Sequence, residues 1–158
     1  MSNLTNETVL SKDGTVINPD LNLIEVIETV ISSLDEFHNA FVNQTDEGRL
    51  WKFTYGSVEA WVQITGVAEG DTFSVWSPIL QLPVQHQDRL LEKLMRMNWL
   101  ETLEARFALF QSQIVVVSSR SISDLDVGEI SRLITLVASL ADEHDEILQQ
   151  EFSSVQPS

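Results

Sequence analysis

Between Trp51 and Leu80, two turn signals and an alternation of side chains prescribe a three-stranded antiparallel meander with little freedom of register. Trp51, Phe53 and Tyr55 alternate with Lys52 and Thr54, the period-two pattern of a strand with one buried face. Gly56-Ser57 follows, and glycine at the first central position suits a two-residue type II′ turn. Closing that turn pairs Tyr55 with Val58, Phe53 with Ala60 and Trp51 with Val62, so apolar meets apolar throughout. The next connection, Gly66 to Asp71, closes symmetrically and pairs Ile64 with Phe73 and Val62 with Val75. A slip of one residue would turn all of these side chains to the opposite face.

The same register sets Trp61 opposite Trp76 on the other face of the sheet, among Lys52, Glu59, Gln63 and Ser74. Such a cross-strand pair contributes about 0.2–1 kcal/mol. Its apolar area matters more, because monomers seldom expose large apolar patches. Either another part of the chain covers the two indoles, or they form a docking or dimer surface, where tryptophan is over-represented.

The flanking segments read as cover for this sheet. Residues 1–17 form a flexible arm or a short hairpin turning at Asp13-Gly14. Asn18 as cap, Pro19 in the first helical position and Asp20 near the positive end of the dipole start a helix. Its stripe is Leu23, Ile24, Ile27, Val30, Ile31 and Leu34, and burial contributes about 1.5–3 kcal/mol per side chain as an upper estimate. The segment from Phe37 to Asn43 either extends that helix or begins an edge strand, and Asp46-Glu47-Gly48 turns the chain into Trp51.

Beyond the meander, Ser77-Pro78 and Leu82-Pro83 bracket a short extended piece. Pro83 suits a first helical position, which predicts a second helix running to about Met97. Leu90, Leu91, Leu94 and Met97 form its apolar side, and Asn98 is placed to end it in the left-handed region. A turn centred on Gln111-Ser112 then sets Phe107 against Val116 and leaves Glu104, Arg106, Val115 and Val117 on the outer face of a hairpin. The last helix begins near Asp124 or Asp126, with Glu129 spaced for a capping box if Asp126 is the cap. Its stripe is Ile130, Leu133, Ile134, Val137, Leu140 and Ala141. After Arg132 the chain holds acids but no Lys or Arg, so this helix is expected to end solvated and frayed against its own dipole.

Charge and composition narrow the function. With 24 acids against nine bases the formal charge is −15, and the resulting field repels phosphate backbones and anionic lipid heads. Neither nucleic acid nor a membrane surface is expected as a partner. The chain has no cysteine, which removes disulfides, thiolate metal sites and cysteine nucleophiles. No run approaches the apolar length of a membrane span and the N-terminus lacks signal-peptide order, so a cytoplasmic location is expected. His38, His86 and His144 are scattered in no metal-binding spacing, and there is neither a phosphate loop nor a nucleophile elbow. No catalytic residue, metal site or cofactor is expected.

The order of helix, meander, helix, hairpin and long helix resembles the class I type III secretion chaperones and, more nearly, the YbjN-like domains that share their fold. The resemblance is carried over residues 18–150 by Trp51 to Tyr55 with Gly56-Ser57, by Trp76-Ser77-Pro78-Ile79-Leu80 and by the helix end at Asn98. Ala105-Arg106-Phe107-Ala108 and Asp124-Leu125-Asp126 complete it. It implies a small acidic protein, homodimeric, that binds other polypeptides or serves regulation, with no catalytic residues to carry across.

The expected fold is therefore α+β: an antiparallel sheet, a three-stranded meander plus a hairpin, with helices packed on it in the order α-βββ-α-ββ-α. A single domain is expected over residues 18–152, with an arm at 1–17 and a disordered tail at 153–158. The expected function is a non-enzymatic, homodimeric protein-interaction or chaperone-like module using Trp61, Trp76, Lys52 and Arg106, or the groove beside the second helix. The alternative is a small-ligand sensor or an enzyme with a pocket between helices and sheet, with His86 or His144 as a polar contact.

Overall fold

The structure, a computed structural model, describes residues 9–10, 16–17 and 19–155, with side chains from residue 23 onward. In chain order the elements are β1 (Val9–Leu10), β2 (Val16–Ile17), α1 (Pro19–Leu34), β3 (Phe41–Thr45), β4 (Gly48–Tyr55), β5 (Val58–Ile64) and β6 (Thr72–Gln81). They continue with α2 (Gln87–Leu100), β7 (Arg106–Phe110), β8 (Gln113–Ser121) and α3 (Val127–Glu151). β1 pairs with β2 alone, and the other six strands form one antiparallel sheet in the order β3-β4-β5-β6-β8-β7. The expected turn at Asp13-Gly14 and the expected cap Asn18 lie outside the described residues.

The α+β class and its helix order stand, with one strand more than the meander required. Tyr55↔Val58, Phe53↔Ala60, Trp51↔Val62, Val62↔Val75 and Ile64↔Phe73 all pair as the side-chain pattern demands. Gly56 takes φ +55, as the first central position of a primed hairpin turn requires. The ambiguous segment after α1 resolves as an edge strand: β3 pairs along β4 from Phe41↔Lys52 to Thr45↔Gly48.

β6 does not stop before Pro78 but runs through it to Gln81. The pairing of β5 with β6 ends at Trp61↔Trp76, and the Ser77 hydroxyl instead donates to the Glu59 carbonyl at 2.7 Å. Pro78 therefore sits beyond the β5 ladder, and a bulge follows it before Leu80. The second hairpin turns at Gln111 (φ 50) and Ser112 (φ 63) and pairs Phe107 with Val116, as expected.

α2 departs from expectation at both ends. It starts at Gln87 rather than Pro83, because the preceding backbone is engaged elsewhere: Leu82 N–H donates to Ser112 and Gln85 N–H to Ser153. It also continues past Asn98 to Leu100. Asn98 stays helical, and its side chain accepts from Phe107 N–H at 2.8 Å and donates to Phe107 C=O at 3.2 Å, acting as a substitute strand on the β7 edge. Residues 153–155, assigned by the sequence to a disordered tail, lie along Pro83–Gln85, with Val84 bridged to Ser154 and Val155 N–H donating to Pro83 C=O.

α3 begins as its cap predicts: the Asp126 carboxylate accepts from Glu129 N–H at 2.8 Å. The Glu129 side chain leaves the capping box and pairs with Arg120 instead. Phe53, Ala60, Val62, Phe73, Val75 and Val116 on one face of the sheet meet the buried stripes of α1 and α3. That face holds the core, and Trp61 and Trp76 lie on the opposite one.

Candidate functional site

Strand alternation puts Trp61 and Trp76 on the face away from the core, and antiparallel pairing aligns them with residues from every strand of the sheet. The register runs Phe41↔Lys52↔Trp61↔Trp76↔Val117↔Arg106, one row across six strands. All four residues singled out from the sequence, Lys52, Trp61, Trp76 and Arg106, thus lie in a single line.

The row is ordered by aromatic and ionic contacts. The two indoles stack with centroids 6.2 Å apart and planes 7° from parallel. Lys52 Nζ lies 5.0 Å from the Phe41 ring centroid and 5.3 Å from that of Trp61, and 3.4 Å from a Glu59 carboxylate oxygen. Cation–π contacts at such half-exposed positions contribute about 0.5–1 kcal/mol each. Both indoles remain half-buried, and neither belongs to the core cluster.

The outward positions of the six strands carry three charges, Lys52, Glu59 and Arg106, a net of +1 on a chain of −15. Toward β7 the face deepens into a groove of about 410 Å³ whose lining includes Trp76, Val115, Val117, Phe110 and Arg106. Val115 and Val117 share this face with Arg106, and the joining of both hairpins in one sheet makes them continuous with the tryptophans.

A second exposed apolar surface takes Leu91 away from the core side expected of it. Leu90, Leu94 and Met97 of α2 are buried, but Leu91, Met95 (70% exposed) and Trp99 (80%) form a separate stripe facing away from the core. Leu103 and Leu109 are exposed as well, and Leu91, Met95 and Leu109 line one shallow apolar depression. The signal lay in the spacing: Leu91, Met95 and Trp99 are four apart, so α2 carries two apolar stripes, whereas packing on one sheet needs one.

The acidic end of α3 is not simply solvated. Asp145 is 4% exposed, and the Ser57 hydroxyl lies 3.0 and 2.9 Å from its two carboxylate oxygens. Asp142 accepts from the Ser57 N–H and lies 2.9 Å from the same hydroxyl. The first hairpin turn is thereby pinned to α3, and Glu151 at the far end pairs with Lys93 of α2. The helix runs unbroken to Glu151, with Lys93 supplying from α2 a base that its own last turn lacks.

His144 packs edge-on to Phe107, and His38 and His86 sit in left-handed backbone at turns. Among the described residues no group of three metal-ligating side chains converges, and no helix is long and apolar enough to cross a membrane.

The family model YbjN, described as "Putative bacterial sensory transduction regulator", matches residues 22–150. The fold is similar to a chain in the HopA1–SchA chaperone–effector complex, with TM-score 0.55, 13% identity and coverage of 84% of this chain and 99% of that one. It is also similar to a chain in the ExsC–ExsE complex, with TM-score 0.51, 9% identity and coverage of 82% and 95%. At such identities the likeness is one of fold. No curated protein matches significantly.

Proposed function

The chain belongs to the YbjN family, and from that premise we propose that it is a non-enzymatic protein-interaction module that pairs with a second copy through α2 and binds a partner polypeptide on the outer face of its sheet. The observation that carries this reading is the amount of apolar surface left outside the core. Among the described residues, helices cover one face of the sheet only, so Trp61 and Trp76 stay accessible, and Met95, Trp99 and Leu103 of the α2 region are more than two-thirds exposed. Contiguous apolar area of this kind marks association sites far more often than bare surface. The fold's occurrence in a chaperone–effector complex supports a polypeptide as partner.

Two double variants separate the surfaces. Light scattering should give the wild type a mass of two chains, and Met95→Glu with Trp99→Glu a mass of one. Trp61→Ser with Trp76→Ser should keep the dimer but lose a discrete protein captured by the wild type from a native lysate. A wild-type mass of one chain at all concentrations would overturn the dimer, and capture indifferent to the tryptophans would overturn the sheet face. The rival reading, a ligand sensor, predicts a stability gain with some metal or metabolite, about 2.7 kcal/mol at 100 times its dissociation constant.

A further inference from the structure

Resting on the reading of the outer face as a protein-binding surface, we infer that the groove between Trp76 and Arg106 takes a partner segment carrying an apolar side chain with a carboxylate close to it in sequence. The groove supplies both halves of that recognition. Its floor is Trp76, Val115 and Val117, with Val115 only 3% exposed although it lies on the face opposite the core. Its rim is Arg106, an exposed guanidinium with no ion pair or side-chain hydrogen bond among the described residues.

Among the described bases only Arg89 shares that solitude. With 24 acids for nine bases, a cation has abundant intramolecular partners. Lys52, Lys93, Arg96, Arg120 and Arg132 each hold a carboxylate, and Arg49 donates to Gln44. Lys52, at the other end of the stacked indoles, is also held between two rings. Arg106 is left without an anion beside an apolar groove, and a planar guanidinium binds a carboxylate in a bidentate fork.

The charge of the whole molecule limits the partner further. A field of −15 slows the approach of a strongly acidic polypeptide, whereas the outer face itself is neutral to slightly positive. The segment that fits is one with a single acid set among neutral or basic residues, its apolar side chain against Trp76 and its carboxylate on Arg106.

The test uses the full-length protein on an array of Gly/Ser-based peptides. Each peptide holds one Leu, Phe or Trp, with Glu, Gln or Lys two positions away. The wild type should be retained in the order Glu, Gln, Lys, with about a tenfold span between the extremes. Arg106→Glu should reverse that order, and Trp76→Ser should lower retention on all three, both variants first shown by circular dichroism to be folded. An order unchanged by Arg106→Glu overturns the proposal. So does a shift from two chains to one in either variant, because the groove would then be the contact between copies. No retention of any peptide also overturns it; if lysate capture still depends on Trp61 and Trp76, the face remains a protein-binding surface and only the assigned chemistry falls.

Discussion

At the scale of single residues, the turn between β4 and β5 shows how one short motif serves two ends. Gly56 adopts φ +55, where a side chain is strained, and an added Cβ would collide with the Asp142 carboxylate. Gly56→Ala should therefore lower stability by about 1–3 kcal/mol in urea unfolding. The loss should be smaller when Asp142→Ala removes the obstacle, leaving the backbone strain alone. Its neighbour Ser57 is the only hydrogen-bond partner of buried Asp145 among the described residues. Ser57→Ala should cost about 1–3 kcal/mol by leaving that carboxylate without a donor, measured as a fall in the unfolding midpoint. The need for glycine and the turn type were legible in the sequence. The tie to α3 was not, because Ser57 and Asp145 are 88 positions apart and no local pattern links them.

At the scale of elements, periodicity located strands and helices where neighbours in sequence determine the choice, and failed where tertiary bonds take over. Asn98 is the clearest case. Its type suits a helix end, yet both arms of its amide pair with Phe107, so the helix runs on and the β7 edge is closed to strand addition there. Asn98→Ala should lower stability by about 1–2 kcal/mol and speed hydrogen exchange at the Phe107 amide, with exchange at Val116 in the partner strand changing less. The cap, by contrast, was narrowed by spacing to Asp124 or Asp126 and the structure selects Asp126; Asp126→Ala should cost about 1 kcal/mol in the same unfolding assay. α2 shows a third situation. Its second apolar stripe is plain in the sequence, but which stripe faces the core depends on how α2 lies against β7.

At the scale of the whole molecule, charge and apolar surface act against each other. In the proposed dimer two copies of a −15 chain repel, while the exposed α2 stripe would attract by removing apolar area from water. Dimerisation should therefore tighten as salt screens the repulsion: light scattering at fixed protein concentration should show mass rising toward two chains between about 10 mM and 300 mM NaCl. The sequence by itself determined the meander, its register, the buried faces of α1 and α3 and the placing of Trp61 opposite Trp76. Each of these follows from periodicity and turn chemistry within a few residues, and a slipped register would bury polar groups. Only the tertiary structure decided that the second hairpin joins the meander through β6 and β8, which draws Lys52, Trp61, Trp76 and Arg106 into one row and opens the groove between the last two. Pairing between strands separated by a helix depends on which long-range packing buries the most apolar surface, and short-range pattern does not encode that choice.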